Sequence, residues 1–497
     1  MDSDNKRGGL LRRTPPVLVA AASSATLFYF GTGFAPTAAL TWLAPLPVLL
    51  LAPRVCARVA LSAAFGAYLL GTANSWGYYL DSFDVPLPIG MAISFGSAAG
   101  FTLTVAAFRA LIRRGRALLA AIVAPAVWTS IVYLAAVASP MGIMGTLATA
   151  QGDVPLMLQT AAVTGAWGVE YLVLLGPAAV AALLTPGVAS AARVRVGAVG
   201  AAVLAIALIG GALRLAGDEV SEPPLRVALV VHNSSGWGTD VADAEGKALV
   251  DSYTDQLAAL PDGVDLAVLP EGEFAADDDS LSILTEPMSR AAQERGMTVV
   301  VNYIHRADGE KRNLALAFPA DGGEPVSYLK HHDGVSPPGD ELVFVPDAPV
   351  GVGIQICMDL NFSALTRDYA EAGSRMLAIP ASDEIDNGWQ HSRTAVLRGV
   401  ENGQSVAWSG RRGALTLADG YGRVLAETRS GGSGEFTVVA ADVPPGPGST
   451  PYTAMGDWFA WLCLTLAAAG VAYVSAGGRR VAPDASSPKR PPTSAAG

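Results

Sequence analysis

The stretch "GVGIQICMDLNF", residues 351–362, decides how the second half of the chain is read. An apolar, strand-like run delivers a cysteine, Cys357, with Asp359 two places later. The chain has only three cysteines in 497 residues. Free cysteine is among the most buried residue types and packs as a small hydrophobe. As a thiolate, the same side chain is a nucleophile. Taken alone, the stretch leaves both possibilities open.

Working outward, short apolar runs recur at 225–231, 264–270, 297–303, 313–318, 350–356, 375–380 and 405–410, each bounded by turn residues as strands are. Helical patterns intervene near 242–260, 280–295 and 389–403. Strands alternating with helices predict a layered α/β domain. Three stretches combine. "LPEGEF" puts Glu271 just past one strand, "YLKHH" puts Lys330 at the end of another, and "QICMD" puts Cys357 at the end of a third. Strand ends are where α/β domains assemble sites. A carboxylate can take the thiol proton. A lysine, with the backbone N–H of Met358, can hold the oxyanion of an attacked carbonyl. Such a trio forms a thioester and passes the acyl group on. Singly, Glu271 reads equally as a solvated loop acid and Lys330 as a surface residue. His331 and His332 are adjacent in an extended segment, so their rings diverge; no metal site is expected, and no cofactor.

The rest of the chain is of another kind. The whole chain is 51% hydrophobic and only 15% charged, where a globular domain carries about 25% charged residues. Residues 14–216 hold few charges and 217–450 hold most of the acids. The net charge of −11 argues against nucleic-acid binding. A bilayer crossing needs about 20 apolar residues. Candidate spans lie at 15–31, 36–53, 57–76, 88–108, 117–138, 159–185 and 197–216, with a last one at 457–477. Basic clusters occur at Lys6, Arg7, Arg12 and Arg13, at Arg54 and Arg58, at Arg109, Arg113, Arg114 and Arg116, at Arg193 and Arg195, and at Arg479 and Arg480. With about eight spans they all fall on one side, which the positive-inside rule makes cytoplasmic. The expected organisation is therefore a cytoplasmic segment 1–14, a transmembrane bundle 15–216, an extracytoplasmic domain 217–450, a helix 457–477 and a disordered cytoplasmic tail 478–497. Glu170 sits inside the sixth span, where an ionisable group is either functional or bonded to a neighbour within the bundle.

Here the chain resembles the apolipoprotein N-acyltransferase family of the nitrilase superfamily. The resemblance rests on Glu271, Lys330 and Cys357 in their motifs, and on "LFYFGTGFAP", "NSWGYYLDSF", "VVHNSSGW" and "GWQHSRTAVLRGVENGQ" at matching places. It implies a membrane bundle carrying a nitrilase-like αββα sandwich and a Glu-Lys-Cys triad. It also implies a phospholipid acyl donor, a diacylated lipoprotein acceptor, and a multi-pass monomer of the cytoplasmic membrane. Trp237 is similar in position to the family's functional tryptophan. Met358 and Asp359 stand where the family has a tyrosine and a glutamate. After the lysine the sequence departs into "HHDGVSPPGDELVF", so that Asp340, or else Glu341, stands for a further family glutamate. The family's Trp-Phe pair before "WQH" is replaced by "SDEIDNG". Two other functions keep the same residues: a membrane-tethered amidohydrolase with water as acceptor, and a non-catalytic lipoprotein-binding or partner subunit.

Overall fold

The computed structural model describes residues 14–81, 85–217, 222–233, 236–307, 309–334, 336–384 and 386–476. The basic residues before Thr14 and after Ala476, and the tail expected to be disordered, lie outside the described residues.

The first seven strands are β1 (Leu225–His232), β2 (Thr239–Asp240), β3 (Leu266–Val268), β4 (Phe274–Ala276), β5 (Thr298–Ala307), β6 (Glu310–Phe318) and β7 (Val326–Leu329). The rest are β8 (Val352–Ile354), β9 (Met376–Ser382), β10 (Ser405–Arg411), β11 (Ala414–Ala418), β12 (Val424–Arg429) and β13 (Phe436–Val443). They form an eight-stranded sheet, β13-β1-β3-β5-β4-β2 with β6 and β7 added beside β5, and a five-stranded sheet, β12-β11-β10-β9-β8. The period-2 pattern of β1 explains the layering. Val227, Leu229 and Val231 enter the core shared with the second sheet. Ala228 and Val230 face the other way, onto the core of the Ala244–Ala258 and Leu281–Arg295 helices. The second sheet packs against Ser363–Glu371 and Gly388–Asn402. The soluble part is thus a helix–sheet–sheet–helix sandwich.

In the other part, five helices among the described residues are long and apolar enough to cross a membrane: Leu87–Ile112, Ala117–Ala138, Ala166–Leu183, Ser190–Leu215 and Trp458–Ala476. The apolar helix Pro16–Gly31 and the helix Ala57–Gly71, of 15 residues, are shorter. The span expected at 36–53 is two short helices, Ala38–Leu43 and Leu46–Leu51. Pro45 and Pro47, which lack an N–H, interrupt its hydrogen-bond ladder. The span expected from 159 begins at Ala166, because Gly165 at φ 66° breaks the chain after Ala161–Thr164. The next begins at Ser190, so Arg193 and Arg195 lie in its first turns. Glu170 is fully buried. It accepts from the Trp128 indole at 2.8 Å and from the Ala148 backbone N–H at 2.7 Å.

The two parts meet along the segment 141–166. Its glycines make room for the sandwich: a Cβ at Gly142 would meet Asn361, at Gly145 Gln390 and at Gly152 Arg393. Asn361 Nδ2 donates to Met141 O (3.1 Å) and the Ile143 N–H donates to Asn361 O (3.2 Å). Arg393 pairs with Asp153 at 2.6 Å. Gln390 reaches Gly33 O (3.1 Å) and Asn387 reaches the Tyr78 hydroxyl (3.0 Å). The Gly388–Asn402 helix is therefore held by the membrane part along one flank.

Candidate active site

Glu271 follows β3 by a short loop, and its backbone N–H donates across to Ala381 O of β9 at 3.0 Å. The loop is thereby stitched to the second sheet. Lys330 is the residue after β7, and its N–H donates to Asn313 O of β6 (3.0 Å). The side chains meet: Lys330 Nζ lies 2.7 Å from Glu271 Oε1, with both residues buried. Asn313 Nδ2 donates to the same oxygen at 2.7 Å. Asn313 is fixed in turn by Asn302, whose amide donates to Asn313 Oδ1 (2.7 Å) while its own oxygen accepts from the Gly272 N–H (2.7 Å). Glu271 is a held, buried carboxylate, and the solvated-acid alternative does not apply.

Cys357 does not end a strand. Two residues separate it from β8, and it opens a 3₁₀ turn, Cys357–Asn361. Its φ is 44°, a left-handed value that costs an L-residue about 1–2 kcal/mol. Such strain persists only where the surroundings impose it. Asp359 supplies part of that frame. It accepts from the Ile356 N–H (2.9 Å), the Tyr328 hydroxyl (2.7 Å) and the His332 N–H (2.9 Å). The cysteine turn is so tied to the segment that carries Lys330. Cys357 is buried, and its sulfur donates to Ser382 O at 3.3 Å. Burial holds the thiol well above the usual cysteine range; the Glu271 carboxylate adds to this and the Lys330 ammonium opposes it. For Lys330 burial acts downward, but Glu271 and then Cys357 outweigh it and keep the ammonium above the usual lysine range.

Trp237 stands at the edge of this group, 53% exposed, with its ring on Gly272, where a Cβ would come within 2.2 Å. Gly272 has φ 77°, so both its conformation and its neighbour require glycine. The Arg411 guanidinium lies 5.2 Å from the Trp237 ring centroid. Met358 is half-buried beside the cysteine. Asp340 and Glu341 are exposed, on a loop that leaves from Gly339, whose N–H donates to Lys330 O at 2.9 Å. No side-chain hydrogen bond joins either acid to the trio among the described residues. His331 and His332 serve the frame, at 3.0 Å from the Tyr328 hydroxyl and 3.2 Å from Asp359 respectively.

Two residues near the sulfur escaped the sequence. His391 Nδ1 is 3.9 Å from Cys357 Sγ and 2.9 Å from Asp383 Oδ1. Their signal was present, His391 in "GWQH" and Asp383 in "SDEIDNG", but nothing in the spacing joins them to Cys357.

A two-sheet sandwich with helices outside, carrying a buried cysteine where the sheets meet, defines the carbon-nitrogen hydrolase class. Residues 226–445 match the carbon-nitrogen hydrolase family model, and residues 24–179 match that of the apolipoprotein N-acyltransferase N-terminal domain. Together the two matches support an N-acyltransferase of the nitrilase superfamily. An apolipoprotein N-acyltransferase of Gloeobacter violaceus is 26% identical over 374 residues, 68% of each chain. One of Geobacter metallireducens is 29% identical over 143 residues, 28% of this chain and 26% of its own. The matched stretches therefore span about a quarter of the one relative and two thirds of the other. An amidase from Nesterenkonia sp. is 17% identical over 46% of this chain and 94% of its own, with a TM-score of 0.38.

Proposed function

We propose that this protein transfers a fatty acyl chain from a membrane phospholipid to the N-terminal amine of a diacylglyceryl-cysteine lipoprotein, through a thioester on Cys357. The carrying observation is the buried Lys330–Glu271 pair in the same group as a strained cysteine, whose turn is hydrogen-bonded through Asn361 to the membrane part. A thiol needs a base and a developing oxyanion needs a cation, and both are in hand. The names of the bacterial relatives support the substrates.

Glu271 takes the thiol proton as sulfur attacks the ester carbonyl. The S–C bond forms, and Lys330 with the Met358 N–H holds the oxyanion. The C–O bond then breaks, and the departing lysophospholipid oxygen receives the proton from Glu271. The lipoprotein amine attacks the thioester, Glu271 takes its proton, the N–C bond forms and the thiol is regenerated as the S–C bond breaks. Asp359 holds the turn that presents the sulfur, Trp237 packs on the acyl donor, and Asp340 meets lipid at the loop. The reaction needs no cofactor, and the chain works as a monomer.

The arrangement assigned to it is a bundle of eight crossings over 15–216 and 457–477, with 217–450 as the extracytoplasmic catalytic domain. The ends 1–14 and 478–497 are cytoplasmic. Support comes from where the arginines gather. Arg54 donates to Leu184 O, Arg109 to Val55 O, Arg113 to Pro53 O and Arg114 to Val474 O. Gly33, Tyr78 and the 141–166 segment instead touch the sandwich. Basic residues at one end and the catalytic domain at the other match the positive-inside rule.

The test is mass spectrometry of one lipoprotein's N-terminal peptide from cells with and without this protein. An acyl amide present only with the protein is expected. Free fatty acid accumulating with no amide supports the amidohydrolase alternative and overturns the transfer.

A further inference from the structure

Asp383 and His391 come to Cys357 from elements that carry neither Glu271 nor Lys330: the residue after β9 and the Gly388–Asn402 helix. Asp383 is tightly seated. Its N–H donates to Arg411 O (2.8 Å) and its Oδ2 accepts from Trp408 Nε1 (3.4 Å). A Cβ at Gly413 would come within 2.2 Å of that oxygen and one at Gly410 within 2.7 Å. His391 is 5% exposed, with its ring 4.7 Å from that of Trp408. A carboxylate only accepts, so Nδ1 carries the proton at the 2.9 Å contact. That same N–H is 3.9 Å from the sulfur, and the buried Nε2 has no hydrogen-bond partner among the described residues.

The charges around the sulfur give this geometry a task. Facing Cys357 are Glu271 from the loop after β3, Lys330 from the end of β7 and Asp383 from the end of β9, with Asp333 and Asp359 acting on Lys330. Glu271 also acts on Asp383, whose carboxyl burial pushes up and the His391 hydrogen bond pulls down. Without the imidazole, two carboxylates and one ammonium would surround a sulfur that must become an anion.

We propose that His391 is a positioning residue for the Cys357 thiolate. Its Nδ1–H, held by Asp383, orients the sulfur and offsets the Asp383 charge whenever the thiolate forms or is released. This rests on the thioester mechanism above, yet it can be tested without any acyl donor.

The full-length protein in detergent, in a Cys56→Ala/Cys463→Ala background, is treated with iodoacetamide from pH 6 to 10. The Cys357 thiolate displaces iodide, forming S–C and breaking C–I, and the labelled peptide is counted by mass spectrometry. His391→Phe should move the pH profile upward and slow labelling at pH 8 by about tenfold, one pH unit of thiolate. Adding Asp383→Asn to it should restore labelling to within about threefold of the parent, because the uncompensated charge is gone. An unmoved profile in His391→Phe, or a folded double variant as slow as the single one, overturns the proposal and leaves the thioester mechanism standing. No labelling of Cys357 at any pH in the parent overturns both.

Discussion

Lys330 and Asn313 both donate to Glu271 Oε1, each at 2.7 Å. Among the described residues no hydrogen bond reaches Oε2, so the carboxylate is held by one oxygen and the other is left for the proton exchange proposed above. The two partners of the buried pair should then fail differently when each is removed.

Glu271→Gln keeps the shape and loses the proposed base. Acyl-enzyme formation should slow severely at neutral pH and recover in part as pH rises, because hydroxide then supplies thiolate. Lys330→Ala removes the charge proposed to face the oxyanion, an expected loss of roughly 3 kcal/mol, or over a hundredfold in rate. No recovery with pH is expected there. Initial rates from labelled phospholipid across pH 6–9 separate them, and rescue of the lysine variant alone would reverse the roles.

The resting Cys357 thiol is held above the usual range by burial, then by Glu271. The neutral form is therefore favoured in the folded protein, and thiolate appears only as pH climbs. Iodoacetamide should label Cys357 more slowly than exposed Cys56 at pH 7, and the gap should close toward pH 10. Faster labelling of Cys357 at pH 7 would mean a preformed thiolate.

Glu170 serves the fold more directly than the chemistry. Its two oxygens accept from Trp128 and from the Ala148 N–H in a fully buried setting. Removing the acceptor leaves buried donors unpaired, at about 1–3 kcal/mol each. Glu170→Ala should lower the melting temperature in detergent, and Glu170→Gln, which keeps one acceptor, should lower it less with activity per folded molecule retained. A Gln variant that is fully stable and inactive would make Glu170 part of the mechanism.

Five strands were legible because their apolar runs are continuous: β1, β5, β6, β9 and β10 fall on the predicted stretches. β11, β12 and β13 were not: β11 is buried throughout but only five residues long, and β12 and β13 are largely exposed or half-buried, although β13 holds the apolar run 438–441. Glu271, Lys330 and Cys357 could be singled out because each follows a recognisable strand. The left-handed turn at Cys357 is a property of the backbone, imposed by Asp359 and its partners, and no residue type announces it. Asp383 nears the sulfur through the pairing of β9 with β8, and His391 does so only when the Gly388–Asn402 helix packs back, tied by Gln390 and Arg393 to the membrane part.

Sidedness has its own test. A reporter active only outside the cytoplasm should be silent when fused at residue 480 and active when inserted at the exposed Gly431–Gly432 turn. Activity at 480 would contradict the arrangement of eight crossings.

The central claim is that the acyl group rests on Cys357. Purified protein is incubated with a phospholipid of known chain, quenched in acid, digested and analysed by mass spectrometry. The Cys357 peptide should carry the mass of that chain in a hydroxylamine-labile bond, and Cys357→Ala should carry none, while Cys56→Ala and Cys463→Ala behave as the parent. Adding a diacylglyceryl-cysteine peptide should discharge the thioester and yield that peptide N-acylated. Acylated acceptor appearing with the Cys357→Ala protein, or with no acyl ever found on Cys357, would contradict the account.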